Sequence, residues 1–392
     1  MVKILATSFT VFILTISAVK AQTTINIADF PTINEVPPID SPQVQQWLKE
    51  IDLSGSPDIA PLQAPRGSPP TCQVPAVPNS CVWTCEGCAA DDVTSCAVAN
   101  TWGLTFDDGP STATPTLLSF LKANKLSASF FLIGSNVIQH PEIVKQEVKD
   151  GHHLASHTWS HTALTTLSNE QIVAEMKWTE KAVMDATGLR LKYMRPPYGD
   201  INNRVRFVLK KLGYIPVDWT GDQFDTNDWR VGPAKGQWTM NQAVSTFTKS
   251  LDTYVASAKT SGFYCLEHDV SKTTVDAALQ LIPLGLTRKI NFANVAGCQS
   301  DASPYQAGST SPIPSTAGVT TGNSTNPTTG SGNGAAKPTT GSSSPSGSTG
   351  TSTGASTKGS GTTVQISAGH LQAASAGIVS AAALVVAGAL LA

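Results

Sequence analysis

Along the middle of the chain, apolar and polar positions alternate in blocks whose period keeps changing. Compact apolar runs stand at Trp102–Phe106, Ala128–Ile133, His153–Ser156, Lys192–Met194, Tyr214–Asp218, Phe263–Glu267 and Ile290–Val295. Their length and their β-branched and aromatic content predict strands. Between them the period lengthens. Thr114, Leu117, Leu118 and Leu121 recur at helical spacing. A helix is predicted over 141–150, with Pro141 at its start and Gly151 at its end. Ser168 and Gln171 form a capping box that opens a long helix through Ile172, Met176 and Val183 to Gly188. Further helices are predicted over 202–212, 241–259 and 274–282. Strands alternating with helices predict an α/β fold, a parallel sheet wrapped by helices. No Gly-rich dinucleotide fingerprint is present, which favours a closed or nearly closed barrel over an open doubly wound sheet.

Outside this region the pattern changes. From about Ala302 to Thr363 the composition collapses to Gly, Ser, Thr and Pro. Such a segment has too little apolar surface to bury and is expected to be an extended, O-glycosylated stalk. Asn323 opens its N-glycosylation sequon. The first residues place Lys3 before an apolar stretch that ends in Val19, Lys20 and Ala21, as in a secretory signal peptide. The last residues order small residues Gly359–Gly361, a polar spacer and an apolar tail, the signal for a glycolipid (GPI) anchor. The expected organisation is a signal peptide (1–21), a Pro-rich and Cys-containing leader (22–95), a catalytic domain (96–300), the stalk (301–365) and the anchor signal (366–392). The leader, with a short amphipathic piece near Val44–Ile51, is expected either to pack on the domain or to be removed. The mature chain is expected outside the cell, on the plasma membrane and in the wall.

Net charge is −2, which excludes an electrostatic case for nucleic acid and suits a neutral polymer. Seven cysteines fit an oxidising compartment. The pair Cys85 and Cys88 has metal-ligand spacing, but no second pair follows, so disulfides are the better reading. Seven is odd, and Cys265, in a predicted buried strand, is expected to carry the free thiol.

In a parallel barrel the groups that follow strand ends gather at one rim. They are Asp107 and Asp108, His157 and His161, Arg195 with Tyr198, the loop with Asp222, Asp225 and Asp228, and His268. Two imidazoles four residues apart and a carboxylate from Asp107 or Asp108 suit Zn²⁺ or a similar divalent ion. A cation also offsets the repulsion of adjacent carboxylates, leaving one to bind metal and its neighbour to act as base. Strand alternation puts Tyr264, Leu266 and His268 on one face. If that face is inward, His268 reaches the rim as a general acid. Arg195 is a candidate partner for Asp107.

The motifs TFDDGP, SHTWSH, RPPYGD, DTNDW and LEH occur in the order seen in NodB-like polysaccharide deacetylases, the family-four carbohydrate esterases. The resemblance covers about residues 100–296. With its leader, stalk and anchor signal, the whole chain resembles fungal chitin-active members of that family. The resemblance implies a distorted (β/α)7 barrel and Zn²⁺ or Co²⁺ as cofactor. It implies Asp107 as general base, Arg195 as its partner, and Asp108, His157 and His161 as metal ligands. It implies Tyr198 as backbone donor to the oxyanion and His268 as general acid. Leu266 would line the acetyl-methyl pocket and Trp229 would form a pocket wall. Asp225 is preferred as the carboxylate that tunes His268, because DTNDW satisfies a DxxDW pattern; Asp218 and Asp222 compete for that role. The implied partner is chitin or N-acetylglucosamine oligomers, the membrane is reached through the lipid anchor, no nucleic acid is involved, and the chain is expected to be monomeric. Two other readings stay open: another acetylated polysaccharide as substrate, or a wall-anchored glycan-binding protein on an inactive barrel.

Overall fold

The structure, a computed structural model, describes residues 25–73, 76–234 and 236–310. The signal peptide, most of the stalk, the sequon at Asn323 and the anchor signal lie outside the described residues. Among the described residues no helix is long and apolar enough to cross a membrane.

Eight short strands run through the domain: β1 (Thr101–Gly103), β2 (Thr105–Asp107), β3 (Ser129–Leu132), β4 (His153–Ser156), β5 (Tyr193–Met194), β6 (Ile215–Pro216), β7 (Phe263–Tyr264) and β8 (Asn291–Ala293). All pairings between them are parallel. The first expected strand is broken in two at Leu104. Its lower half, β1, pairs with β7 and β8; its upper half, β2, leads the order β2-β3-β4-β5-β6. The break arises because Leu104 changes partners, donating to the Ala293 carbonyl and accepting from the Ser129 amide. Single parallel bridges close the ring where regular ladders stop, Asp225 to Leu266 and Asp107 to His268. The result is a strongly distorted barrel.

Alternation divides the core into two layers. Phe131, Ala155, Tyr193, Val217 and Tyr264 cluster inside the ring. Phe130, Leu132, Leu154, Met194 and Phe263 face the other way, into the helix layer. Each fully buried large apolar side chain in these layers contributes roughly 1.5–3 kcal/mol.

The helices are α1 (Pro42–Glu50), α2 (Trp83–Glu86), α3 (Thr114–Ala123), α4 (Gly134–Val137), α5 (Pro141–Lys149), α6 (Asn169–Thr187), α7 (Asn203–Lys211), α8 (Met240–Ala256), α9 (Lys272–Thr287) and α10 (Val295–Cys298). The capping box of α6 forms in both directions, and Gly188 closes the helix in the left-handed region. Because α6 buries one long face, its start fixes the register of everything packed on it.

The leader packs on the domain. Val44 of α1 is fully buried, and Trp47 meets Trp178 of α6 edge to face, centroids 5.1 Å apart. Cys72–Cys85 and Cys81–Cys88 staple the segment around α2, Cys96–Cys298 ties the entry to the exit of the barrel, and Cys265 is free and buried. The last bridge spans 202 residues, a closure worth about 5 kcal/mol in the chain-entropy picture. Residues 301–310, expected to open the stalk, still pack on the barrel. Tyr305 bridges to Leu191 and its hydroxyl accepts from the Leu154 amide at 3.1 Å.

Candidate metal centre and acid–base pair

Asp107 and Asp108 are adjacent yet point apart. Asp107 ends β2 in extended backbone, fully buried, and Arg195 Nη1 donates to its Oδ1 at 2.8 Å. Asp108 turns the chain with φ of 72°, and Asn136 Nδ2 donates to its carbonyl. One residue of left-handed backbone thus sends two like charges to different partners, which answers why neighbours of the same sign persist here. The next residue must be glycine, since a Cβ at Gly109 would lie 2.3 Å from a carboxylate oxygen of Asp269.

His157 and His161 follow β4. His157 Nδ1 lies 2.8 Å from the Arg195 carbonyl and must donate to it, which leaves Nε2 as a lone pair. His161 Nδ1 lies 3.1 Å from the Tyr198 hydroxyl. Both Nε2 atoms face Asp108 Oδ1, at 3.3 and 3.1 Å. Asp108, His157 and His161 bring their ligand atoms within 4.8 Å of one another. Asp108 Oδ1 is buried and has no hydrogen-bond partner. An orphaned carboxylate oxygen facing two imidazole lone pairs, with each distal ring nitrogen satisfied behind, is a donor set that fits a divalent cation.

Arg195 is fully buried and makes its ion pair inside the ring. Its guanidinium lies 4.3 Å from the Phe131 ring centroid, Nε donates to Val217 O, and Nη1 also donates to Thr105 Oγ1. Tyr198 sits in a turn with φ of 62°, followed by Gly199 at 66°. Its phenol is pushed up to about 12 by burial and by the Asp108 charge.

His268 stands at the end of the β7 chain segment, bridged to Asp107: Asp107 N donates to Glu267 O, and Asp269 N to Asp107 O. The carboxylate on its ring is Asp228, not Asp225. Asp228 Oδ1 lies 2.7 Å from His268 Nδ1, and Asp228 Oδ2 accepts from the His268 amide at 2.8 Å. Burial disfavours the imidazolium, but Asp228, with Asp108 and Asp107 behind it, raises the ring to about 10. Asp225 instead folds back on its own loop. It accepts from the Asn227 amide at 2.7 Å and from Trp229 Nε1 at 3.3 Å. Burial pushes its carboxyl up to about 6. The physical reason is local: the turn capped by Asp225 puts Asn227 at φ 56°, which swings the following residue, Asp228, toward the strand end. The DxxDW spacing was therefore met by its second aspartate. Of the competitors, Asp218 is fully buried with both oxygens unpartnered, and Asp222 is exposed.

Leu266 forms the bridge to Asp225 and is half-buried; Trp229 is 41% exposed at the rim. Glu175, not singled out from the sequence, accepts from the amides of Trp159 and Ser160 at 2.7 and 2.9 Å and from Ser160 Oγ at 2.5 Å. It is a buried carboxylate behind the histidine loop, placed there by α6. No motif spacing marks it.

A parallel barrel with a three-ligand cluster and a flanking carboxylate and imidazolium defines a class of metal-assisted hydrolases. The family profile described as polysaccharide deacetylase matches residues 95–217. Chitin deacetylase 1 of Cryptococcus neoformans var. grubii is 40% identical over 66% of this chain and 55% of its own length. The chitin deacetylase of Amylomyces rouxii is 35% identical over 72% of this chain and 69% of its own. The solved chitin deacetylase of the fungal pathogen Colletotrichum lindemuthianum superposes with a TM-score of 0.51 at 30% identity, over 55% of this chain and 95% of that one. The chain belongs to the polysaccharide deacetylase family. It spans little more than half the length of the Cryptococcus relative.

Proposed function

We propose that the protein removes N-acetyl groups from N-acetylglucosamine residues of chitin, giving chitosan and acetate. One observation carries the reading: Asp107 and His268 are bridge partners on neighbouring strand ends, beside the Asp108, His157 and His161 cluster. Asp108, His157 and His161 would hold the divalent ion, Zn²⁺ or Co²⁺. When bound, it supplies Lewis acidity that polarises a carbonyl and acidifies water.

The chain's own residues divide the remaining work. Arg195 fixes the Asp107 carboxylate in one orientation, and Asp107 accepts the proton of the attacking water. The Tyr198 backbone amide donates to the oxygen that becomes negative, a contact worth about 3 kcal/mol in comparable sites. Asp228 holds His268 as an imidazolium, which hands its proton to the departing amine. The C–N bond breaks as the new C–O bond is kept, and acetate and a free glucosamine nitrogen leave. Leu266 lines the acetyl pocket and Trp229 the sugar wall. Support for chitin over other acetylated glycans comes from the names of the relatives and from the near-neutral chain. A secreted, GPI-anchored monomer at the plasma membrane and wall would meet nascent chitin, with the stalk supplying reach.

The test is acetate release from chitin oligomers, acetylxylan and peptidoglycan, with metal content measured before and after chelation. Chelator-sensitive release from chitin oligomers above the other two substrates is expected. Release from none of them, by protein holding one metal ion per chain, would leave a glycan-binding role instead.

A further inference from the structure

The loop between the two metal-type histidines is held in a costly shape. Thr158 has φ of 67° and His161 of 57°, left-handed backbone that costs on the order of 1–3 kcal/mol at each such residue unless its surroundings enforce it. Two braces enforce it. From inside the domain, Glu175 takes the amides of Trp159 and Ser160. From outside, the leader takes the side chain of Trp159. The Phe30 ring lies parallel to the fully buried Trp159 indole, centroids 5.9 Å apart and 4° from coplanar. Trp159 Nε1 donates to the Thr32 carbonyl at 3.1 Å. Ser135 Oγ sits between Asn34 Oδ1, at 3.0 Å, and the Trp159 carbonyl, at 2.9 Å. The contact is anchored on its far side, where Phe30 also meets Trp178 edge to face.

Trp159 lies midway between the two histidines on this left-handed stretch of backbone, so the contacts that hold its indole also hold the backbone that aims both Nε2 atoms at Asp108. We propose that the leader segment 30–34 is a positioning element of the metal centre: by clamping Trp159 it sets the affinity of the site for a divalent cation. The leader is then neither a passive wrapping nor a dispensable pro-segment. The inference rests on the metal reading given above.

The experiment uses the full chain and its Phe30→Ala variant, stripped with chelator and titrated with Zn²⁺ against a chromophoric competitor. Phe30→Tyr keeps the stacked ring and Phe30→Leu keeps the apolar volume. Changes to residues that orient metal ligands typically cost 10–100-fold in affinity. The expected result is a dissociation constant weakened about tenfold or more in Phe30→Ala, close to the parent in Phe30→Tyr, and kcat restored at saturating Zn²⁺. A variant that merely folds less well binds fewer equivalents at the parent's affinity. Unchanged affinity in both Phe30→Ala and Phe30→Leu would overturn the proposal. If the parent binds no more Zn²⁺ than His157→Ala, the metal reading itself fails.

Discussion

The metal side of the rim and its acid side are built from the same kinds of residue at very different sequence distances. On the metal side, two histidines four residues apart share one loop, and a single strand end supplies the third ligand atom. On the acid side, His268 takes its carboxylate from forty residues away, out of a loop whose regular structure is two single 3-10 turns, Asp222–Phe224 and Asp228–Arg230. Each side sets one buried residue, His157 or Asp228, among partly exposed ones, and both satisfy a ring nitrogen away from the rim. The difference teaches where spacing carries information. A short spacing constrains geometry because few backbone paths connect its ends. A long one leaves the partner to be chosen by how the loop folds.

The largest effect expected is on the metal side. His157→Ala or Asp108→Ala removes a ligand and should lower turnover by about a thousandfold or more, the several kcal/mol a Lewis acid contributes. Metal content after gel filtration should fall with it. Asp107→Asn should lower turnover by about 10²–10⁴-fold while the protein keeps its ion. Full activity in that variant would remove Asp107 as base.

Most of the barrel was legible because period and caps are local. The start and end of α6 follow from Ser168, Gln171 and Gly188, and the structure uses all three. The break at Leu104 was not legible, since one apolar run serves two neighbours whose identity only the closed ring decides. The candidate ligands were legible from HxxxH and the paired acids. The choice of Asp225 over Asp218 and Asp222 passes over Asp228, because a pattern match cannot show that the Asp225 carboxylate is consumed by Asn227 and Trp229. Glu175 was invisible for a related reason, as an acid on a helix otherwise reads as solvated surface.

The acid side therefore offers a sharper comparison. Asp228→Asn should lower kcat by about a hundredfold, whereas Asp225→Asn should cost only about a few-fold, through Trp229. The pH profile separates them further. His268 donates only when protonated, and Asp228 keeps it so up to about pH 10. Without that charge burial dominates, the ring's pKa falls, and the basic limb of kcat against pH moves to lower pH. Asp225→Asn should leave the limb in place. An equal shift in both variants would restore Asp225 to the role first expected of it.

An effect nearly as small as that of Asp225→Asn is expected at the turn between the two sides. Arg206 donates to the carbonyls of Cys81 and Cys88, and Asn203 N to Ser80 O, seating the disulfide-stapled segment on the start of α7. This presents Trp83 to Trp219, edge to face at 4.4 Å. A Cβ at Gly199 would come within 2.7 Å of the Trp83 ring, so the indole closes directly over the strained Tyr198–Gly199 turn. Trp83→Ala should relax that turn and lower kcat about fivefold, the equivalent of roughly 1 kcal/mol of oxyanion stabilisation. Zn²⁺ affinity should not change, in contrast to Phe30→Ala, because Trp83 meets Trp219 and the Gly199 turn, whereas Phe30 meets Trp159 of the histidine loop. A loss of affinity in Trp83→Ala would mean that the Tyr198 hydroxyl, through His161, ties the turn to the metal side more tightly than their separate braces suggest.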